Sequence, residues 1–160
     1  VESDYLEPGL VIIQTPDAKK PLKLGGTVEY KVSAGKPEKG EVVVFRFPKD
    51  QSRDFIKRVI ATGGDSIEMK SGKVFVNGQQ LNETYIWHED PKGQNISNYR
   101  KCVVPEGTIF VLGDNRNNSE DSRFADVDMV PLDLVKGRAV AAFWPLDKMR
   151  VIKADTGLAK

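Results

Sequence analysis

Residues 113–123 read Gly-Asp-Asn-Arg-Asn-Asn-Ser-Glu-Asp-Ser-Arg. They bring carboxylates, guanidiniums and hydroxyls into the length of one loop. Such a set can pair charges and hold a proton-transferring group in place. On composition alone it fits equally a solvated loop whose surface ion pairs contribute little. The second candidate is Lys57, in Phe55-Ile56-Lys57-Arg58-Val59-Ile60. Alternate residues of a strand share a face, so Phe55, Lys57 and Val59 point one way and Ile56, Arg58 and Ile60 the other. Whichever face is buried, a cation lies among apolar neighbours. One reading is a lysine at a strand edge that stretches its ammonium out to water. The other is a desolvated amine: burial disfavours the ammonium, lowers the pKa and leaves a neutral general base.

Other reactive side chains are sparse. The single histidine, His88, sits in the polar run Trp87-His88-Glu89-Asp90 and reads as a solvated loop residue. There is no Cys/His cluster to bind zinc, and the acidic residues are scattered, so neither a metal nor a cofactor is implied. Cys102, the one cysteine, lies beside Val103 and Val104 and reads as a small buried hydrophobe; alone it excludes an internal disulfide.

The elements that must position these residues are short strands. Leu10–Ile13 is a brief apolar run, Thr27–Val32 alternates, and Val42–Phe47 is β-rich and closed by Pro48. A polar loop is expected over 48–53, then a strand over Asp54–Ile60. Ser71-Gly72 and Asn77-Gly78 are two-residue hairpin signals. Residues 81–100 read as an irregular polar insertion. Lys101–Val104 and Thr108–Leu112 bracket the turn Pro105-Glu106-Gly107. Pro131–Val135 could form one helical turn, and Gly137–Trp144 reads as the last strand. Many short strands with turn signals and almost no helical periodicity predict an all-β barrel or sandwich, mostly antiparallel, in one domain over 1–160.

The net charge is +1 with signs interspersed, which argues against a nucleic-acid partner. No apolar run is long enough to cross a bilayer. The chain opens at Val1 without a leader or initiator Met, as a piece of a longer protein would.

Three stretches resemble sequence boxes of the bacterial type I signal peptidases. Residues 113–123 resemble the last box, Gly-Asp-Asn-Arg-x-x-Ser-x-Asp-Ser-Arg. Ile56-Lys57-Arg58-Val59, followed by Gly64-Asp65, resembles the lysine box. Gly40-Glu41-Val42-Val43-Val44-Phe45 resembles the box before it, with Glu for Asp. The boxes stand in the family's order and cover roughly residues 40 to 145. The resemblance implies a signal-peptidase-like β fold and a serine endopeptidase that cleaves leader peptides from exported proteins by a Ser/Lys dyad. It makes Lys57 the general base and Ser119 the group that holds its amine by a hydrogen bond. Asp121 and Arg123 would form a structural ion pair beneath the site, Asp114 and Arg116 would brace the loop, and Arg58 would support the lysine. Phe55, Ile56 and Leu6 would line the substrate, an extended preprotein held against strand edges. The implied location is the extracytoplasmic face of the bacterial plasma membrane, resting on the membrane surface and anchored by a segment absent from this chain.

The sequence departs from the family at the nucleophile. The serine box, Ser-x-Ser-Met-x-Pro, has its counterpart in Ser3-Asp4-Tyr5-Leu6-Glu7-Pro8. Ser3 falls where some members help bind the oxyanion, and Tyr5 falls on the attacking serine. A phenol reaches several ångströms beyond a serine Oγ, and its ring would fill the space of the scissile carbonyl. Three explanations stand open: an inactive homologue, a nucleophile elsewhere (Ser3 or before Val1), or an engineered substitution. The non-enzyme alternative is a peptide-binding or assembly module in protein export. A second enzyme class with the same dyad, the self-cleaving repressor-type protease, lacks the Gly-Asp-Asn-Arg box.

Overall fold

The computed structural model describes residues 36–86, 98–139 and 151–158, together with the strand backbone at 11–13, 23–24, 26–27, 141–144 and 150. In chain order the strands are β1 (Val11–Ile13), β2 (Lys23–Leu24), β3 (Gly26–Thr27), β4 (Val42–Phe47), β5 (Asp50–Thr62), β6 (Ser66–Lys70), β7 (Lys73–Val76) and β8 (Gln79–Gln80). They continue as β9 (Tyr99–Val103), β10 (Thr108–Leu112), β11 (Val130–Pro131), β12 (Val135–Arg138), β13 (Ala141–Trp144) and β14 (Arg150–Val151). The architecture is all-β, as expected; the one helical element among the described residues is a 3₁₀ turn, Leu132–Leu134, behind Pro131.

The central sheet has the order β11-β10-β5-β4-β12, and a second sheet has the order β8-β7-β6-β9. Their pairings are antiparallel. β5 is the hub. It pairs β4 on one side and β10 on the other, and every residue from Asp54 to Ala61 is buried. One core lies on one face: Val43, Phe45, Phe47, Phe55, Val59, Ile109 and Val111, closed by Val127, Val130 and Leu134. The other core joins Ile60, Ala61, Phe110 and Leu112 to Ile67, Met69, Val74 and Val76 of the second sheet. A register shift between Phe110 and Val111 reconciles the two alternations.

Several elements differ from expectation. The loop expected over 48–53 is a tight turn, and β5 already begins at Asp50. Pro48 presets the turn, and the Asp50 carboxylate accepts from Ser52 N (3.1 Å) and Oγ (2.6 Å). The Arg53 guanidinium then lies over the rings of Phe47 (5.4 Å) and Phe55 (5.3 Å), so polar sequence is carried on an ordered hairpin. The strand expected over Gly137–Trp144 is two strands in two sheets: β12 pairs β4, and β13 pairs β1. β12 ends at Arg138, after a register shift against β4 between Val135 and Gly137. Both hairpin signals hold, with φ of 49° and 78° at Ser71-Gly72 and 53° and 81° at Asn77-Gly78, the doubly left-handed geometry of a type I′ turn. Of the strand expected over 27–32, only Thr27 is among the described residues. Cys102 is half-buried on β9, opposite Ile67.

The stretch 81–100 starts in the core, where Leu81 donates to Val74 O at 2.9 Å, and ends with Tyr99 opening β9. Residues 87–97, with His88, lie outside the described residues. The stem 81–86 packs on residues 155–158. Asn82 N donates to Gly157 O (2.6 Å), and Thr84 Oγ1 to Asp155 Oδ2 (2.9 Å). Asp155 N in turn donates to Gly40 O (3.1 Å). Gly40 has φ 85°, and a Cβ there would meet the Asp155 carbonyl carbon at 2.5 Å, so both conformation and space demand glycine.

Candidate active site

Lys57 lies opposite Val43 on β4, between Phe55 and Val59 on its own face. It is 2% exposed, which removes the reading of a lysine reaching out to water. Its amine stands 5.1 Å from the centroid of the Phe55 ring. Phe55 and Ile56 are themselves buried; Phe55 stacks on Phe47 at 4.7 Å.

Arg58 points to the other face and is held by a different chemistry. Its Nε and Nη2 fork onto Asp114 at 2.8 and 2.7 Å, and Nη1 donates to Gly40 O at 2.8 Å. Its guanidinium lies 4.0 Å from the centre of the Tyr85 ring. Burial works against this cation, but the bonds to Asp114 outweigh it and raise the Arg58 pKa above the ordinary arginine value.

The polar box begins where β10 ends, one residue past the Leu112–Arg58 pair. Its two ends are sewn together. Ser122 exchanges two bonds with Val111: the Ser122 N–H donates to Val111 O (3.1 Å), and the Val111 N–H donates to Ser122 Oγ (3.0 Å). Arg123 grips Asp121 with Nε (2.7 Å) and Nη2 (2.8 Å), a fully buried fork. Asp121 Oδ2 also accepts from Gly113 N at 3.0 Å. Asp114 turns to Arg58, while Arg116 turns to Glu83, donating from Nη1 to Oε2 at 2.9 Å and from Nη2 to Oε1. As at Arg58, burial opposes the Arg116 cation and the carboxylate more than compensates, so its pKa rises. Ser119 Oγ is buried, and no hydrogen bond joins it to a described residue.

Two residues of this cluster escaped the sequence reading. Glu83 and Tyr85 fall inside the stretch expected to be irregular, yet the Glu83 side chain is 4% exposed. The Tyr85 hydroxyl donates to Glu83 Oε1 at 2.9 Å, and burial together with that carboxylate pushes the phenol pKa up. A signal was present: Tyr85-Ile86-Trp87 is an apolar cluster in polar surroundings. Ser3, Tyr5 and Leu6 lie outside the described residues. Among the described residues, no three His, Cys, Asp or Glu side chains gather to hold a metal ion.

Fold and site define an all-β protein with a lysine buried in its core, beside a polar loop locked by paired charges. A family model described as "Signal peptidase, peptidase S26" matches residues 6–144, and the chain belongs to that family. It is 38% identical over 125 residues to the "Probable signal peptidase I-2" of Synechocystis sp., covering 74% of this chain and 54% of that protein. It is 29% identical over 158 residues to "Signal peptidase I P" of Bacillus subtilis subsp. natto, covering 96% of this chain and 79% of that protein. The crystal structure of a signal peptidase I from Enterococcus faecalis V583 superposes with a TM-score of 0.54 at 28% identity, over 66% of this chain and 98% of that one. The chain spans about half the length of several of the curated relatives that it matches.

Proposed function

We propose that this chain is the catalytic-type domain of a leader-peptide-cleaving serine endopeptidase, with Lys57 as the general base of a Ser/Lys dyad. The observation that carries the reading is the burial of Lys57 between Phe55, Val59 and Val43, in a chain of the signal peptidase family. An apolar site favours the neutral amine, the form that can accept a proton at neutral pH. The reaction needs a hydroxyl within hydrogen-bond reach of that amine. As the hydroxyl oxygen bonds to the scissile carbonyl carbon, its proton passes to Lys57; the ammonium then returns a proton to the departing amine. Ser119 would steady the lysine amine, a bond of the kind that tightens only when substrate is present. Asp114, Arg116, Asp121, Arg123 and Arg58 keep strand and loop in register. Phe55, on the face of Lys57, and Leu6 line the substrate side, while Ile56 points to the other face of β5; Ser3 contributes to the oxyanion site, and the substrate is an extended preprotein segment. The domain works at the extracytoplasmic membrane surface. No helix among the described residues is long and apolar enough to cross a membrane.

Tyr5 at the nucleophile position favours a second reading, an inactive homologue that binds peptides or assists assembly. One experiment separates the two. The unaltered chain is expected to show little or no cleavage of a peptide with Ala at the two family-specified positions. Tyr5→Ser is expected to create cleavage, and Lys57→Ala on that background to abolish it. Cleavage by the unaltered chain that survives Tyr5→Phe would place the nucleophile elsewhere. A Tyr5→Ser chain that binds the peptide without cutting it would leave the binding module.

A further inference from the structure

The bonds that shape residues 113–123 run mostly in a closed ring. Arg116 Nε donates to Gly113 O (3.0 Å), Arg123 Nη2 donates to Arg116 O (3.0 Å), and Asp121 ties Arg123 back to Gly113 N. Both Nη atoms of Arg116 leave that ring and close on Glu83 in a two-pronged pair. The pair is almost fully buried, at 3% exposure for the Arg116 side chain and 4% for Glu83.

Glu83 is anchored independently of the loop. Its stem is held by Leu81 N to Val74 O, by Asn82 N to Gly157 O and by Thr84 Oγ1 to Asp155 Oδ2. Tyr85, two residues on, donates its hydroxyl to Glu83 and lays its ring against the Arg58 guanidinium at 4.0 Å. The stem therefore touches two arginines at once. Arg116 belongs to the loop that carries Ser119, and Arg58 adjoins Lys57 on β5.

We infer that Glu83 is a positioning residue, which sets the loop carrying Ser119 against the strand carrying Lys57. Its carboxylate neutralises a guanidinium with little access to water, and its hydrogen bond from Tyr85 ties that pair to the one at Arg58. With the charge removed, Arg116 becomes an uncompensated buried cation, and the loop must shift to bring water to it. The catalytic part of this inference rests on the roles proposed above for Lys57 and Ser119; the ordering of the loop does not.

The test uses the full chain and two variants: Glu83→Gln, which keeps shape and removes charge, and Glu83→Asp, which keeps charge and shortens reach. In Glu83→Gln, amide hydrogen exchange over 113–123 is expected to accelerate about tenfold or more, while amides of β6 and β7 keep their rates. Glu83→Asp is expected to fall between the two. Unchanged loop exchange, or equal acceleration throughout the molecule, would overturn the inference, the latter by making Glu83 a residue of general stability only. On the Tyr5→Ser background, Glu83→Gln is expected to lower kcat about tenfold with KM within about twofold, and Glu83→Asp to recover part of the loss. A raised KM with kcat intact would also overturn it. Absence of cleavage in Tyr5→Ser itself counts against the proposed function, and loop exchange then decides the role of Glu83. Should Glu83→Gln fail to fold, Glu83→Asp decides by the same two readouts.

Discussion

Two neighbouring cations on β5 are buried on opposite faces of one strand, in opposite kinds of surroundings. Lys57 faces the apolar side, with Phe55, Val59 and Val43 about it and an aromatic ring 5.1 Å from its amine. Arg58 faces the ionic side, where Asp114, the Gly40 carbonyl and the Tyr85 ring receive it. Burial penalises both charges. A fork of charge-assisted bonds offsets the penalty at Arg58 and keeps it a structural cation. The apolar surroundings of Lys57 are of the kind that the general-base role proposed above requires. Each residue type suits its surroundings: the arginine forks onto a carboxylate, and the residue proposed as the base is a lysine.

The contrast can be broken most severely on the ionic side. Asp121 is fully buried and satisfies Arg123 and Gly113 N together. Asp121→Ala is expected to cost roughly 3–5 kcal/mol, because it strands a buried guanidinium. Calorimetry should show a markedly lower Tm, and a change within error would mean that the loop tolerates the loss by opening to water.

The neighbours themselves give the sharpest comparison. Arg58→Met leaves Asp114 without its partner, but that carboxylate is 32% exposed, so a loss of about 2 kcal/mol is expected. Lys57→Met removes a buried amine at similar volume and is expected to be neutral, or to stabilise by about 1 kcal/mol. Urea unfolding of the two variants should therefore differ in sign or nearly so; equal losses would erase the distinction between the two faces.

The smallest effect lies at the turn after β5. Burial alone would raise the Asp65 pKa, but the Thr62 N–H, the Asn77 amide and the Lys39 ammonium all donate to its carboxylate and hold it below the ordinary value of 3.8. A depressed carboxylate contributes stability above its unfolded pKa and loses it as pH falls through the native one. Asp65→Asn should be slightly less stable at neutral pH, with a flatter acid limb followed by circular dichroism; an unchanged acid limb would show that Lys39 and Asn77 add nothing.

Much of this was legible in the sequence because it is local. Period-two alternation and β-branched runs marked β4 and β10, Asn77-Gly78 specified its own turn, and Asp121 and Arg123 stand two residues apart. The alternation of β5 placed a cation on each face without saying which partner each would find. The partners are where local reading stops. Glu83 lies 33 positions from Arg116, in a stretch whose polarity suggested water. Asp114 looked like a partner within its own loop and instead reaches Arg58, 56 positions away. Residues 50–53 looked like loop because their cover, two aromatic rings beneath Arg53, comes from the hairpin once formed. Tyr5, which the family resemblance aligns with the attacking serine, lies outside the described residues, and no spacing rule substitutes for its geometry.

The strands β5 and β10 serve as a party wall: one face closes the first core, the other closes the second. Such a wall has no wet side and no spare register, since a slip of one residue would turn Lys57 and Arg58 into each other's surroundings. Neither core can then be dismantled while the other stays whole, because both lose the same two strands. The chain should melt as one cooperative unit, and a stabilising change made in the first core, on the Lys57 face, should protect the ion pairs on the far side of the wall as effectively as one made beside them.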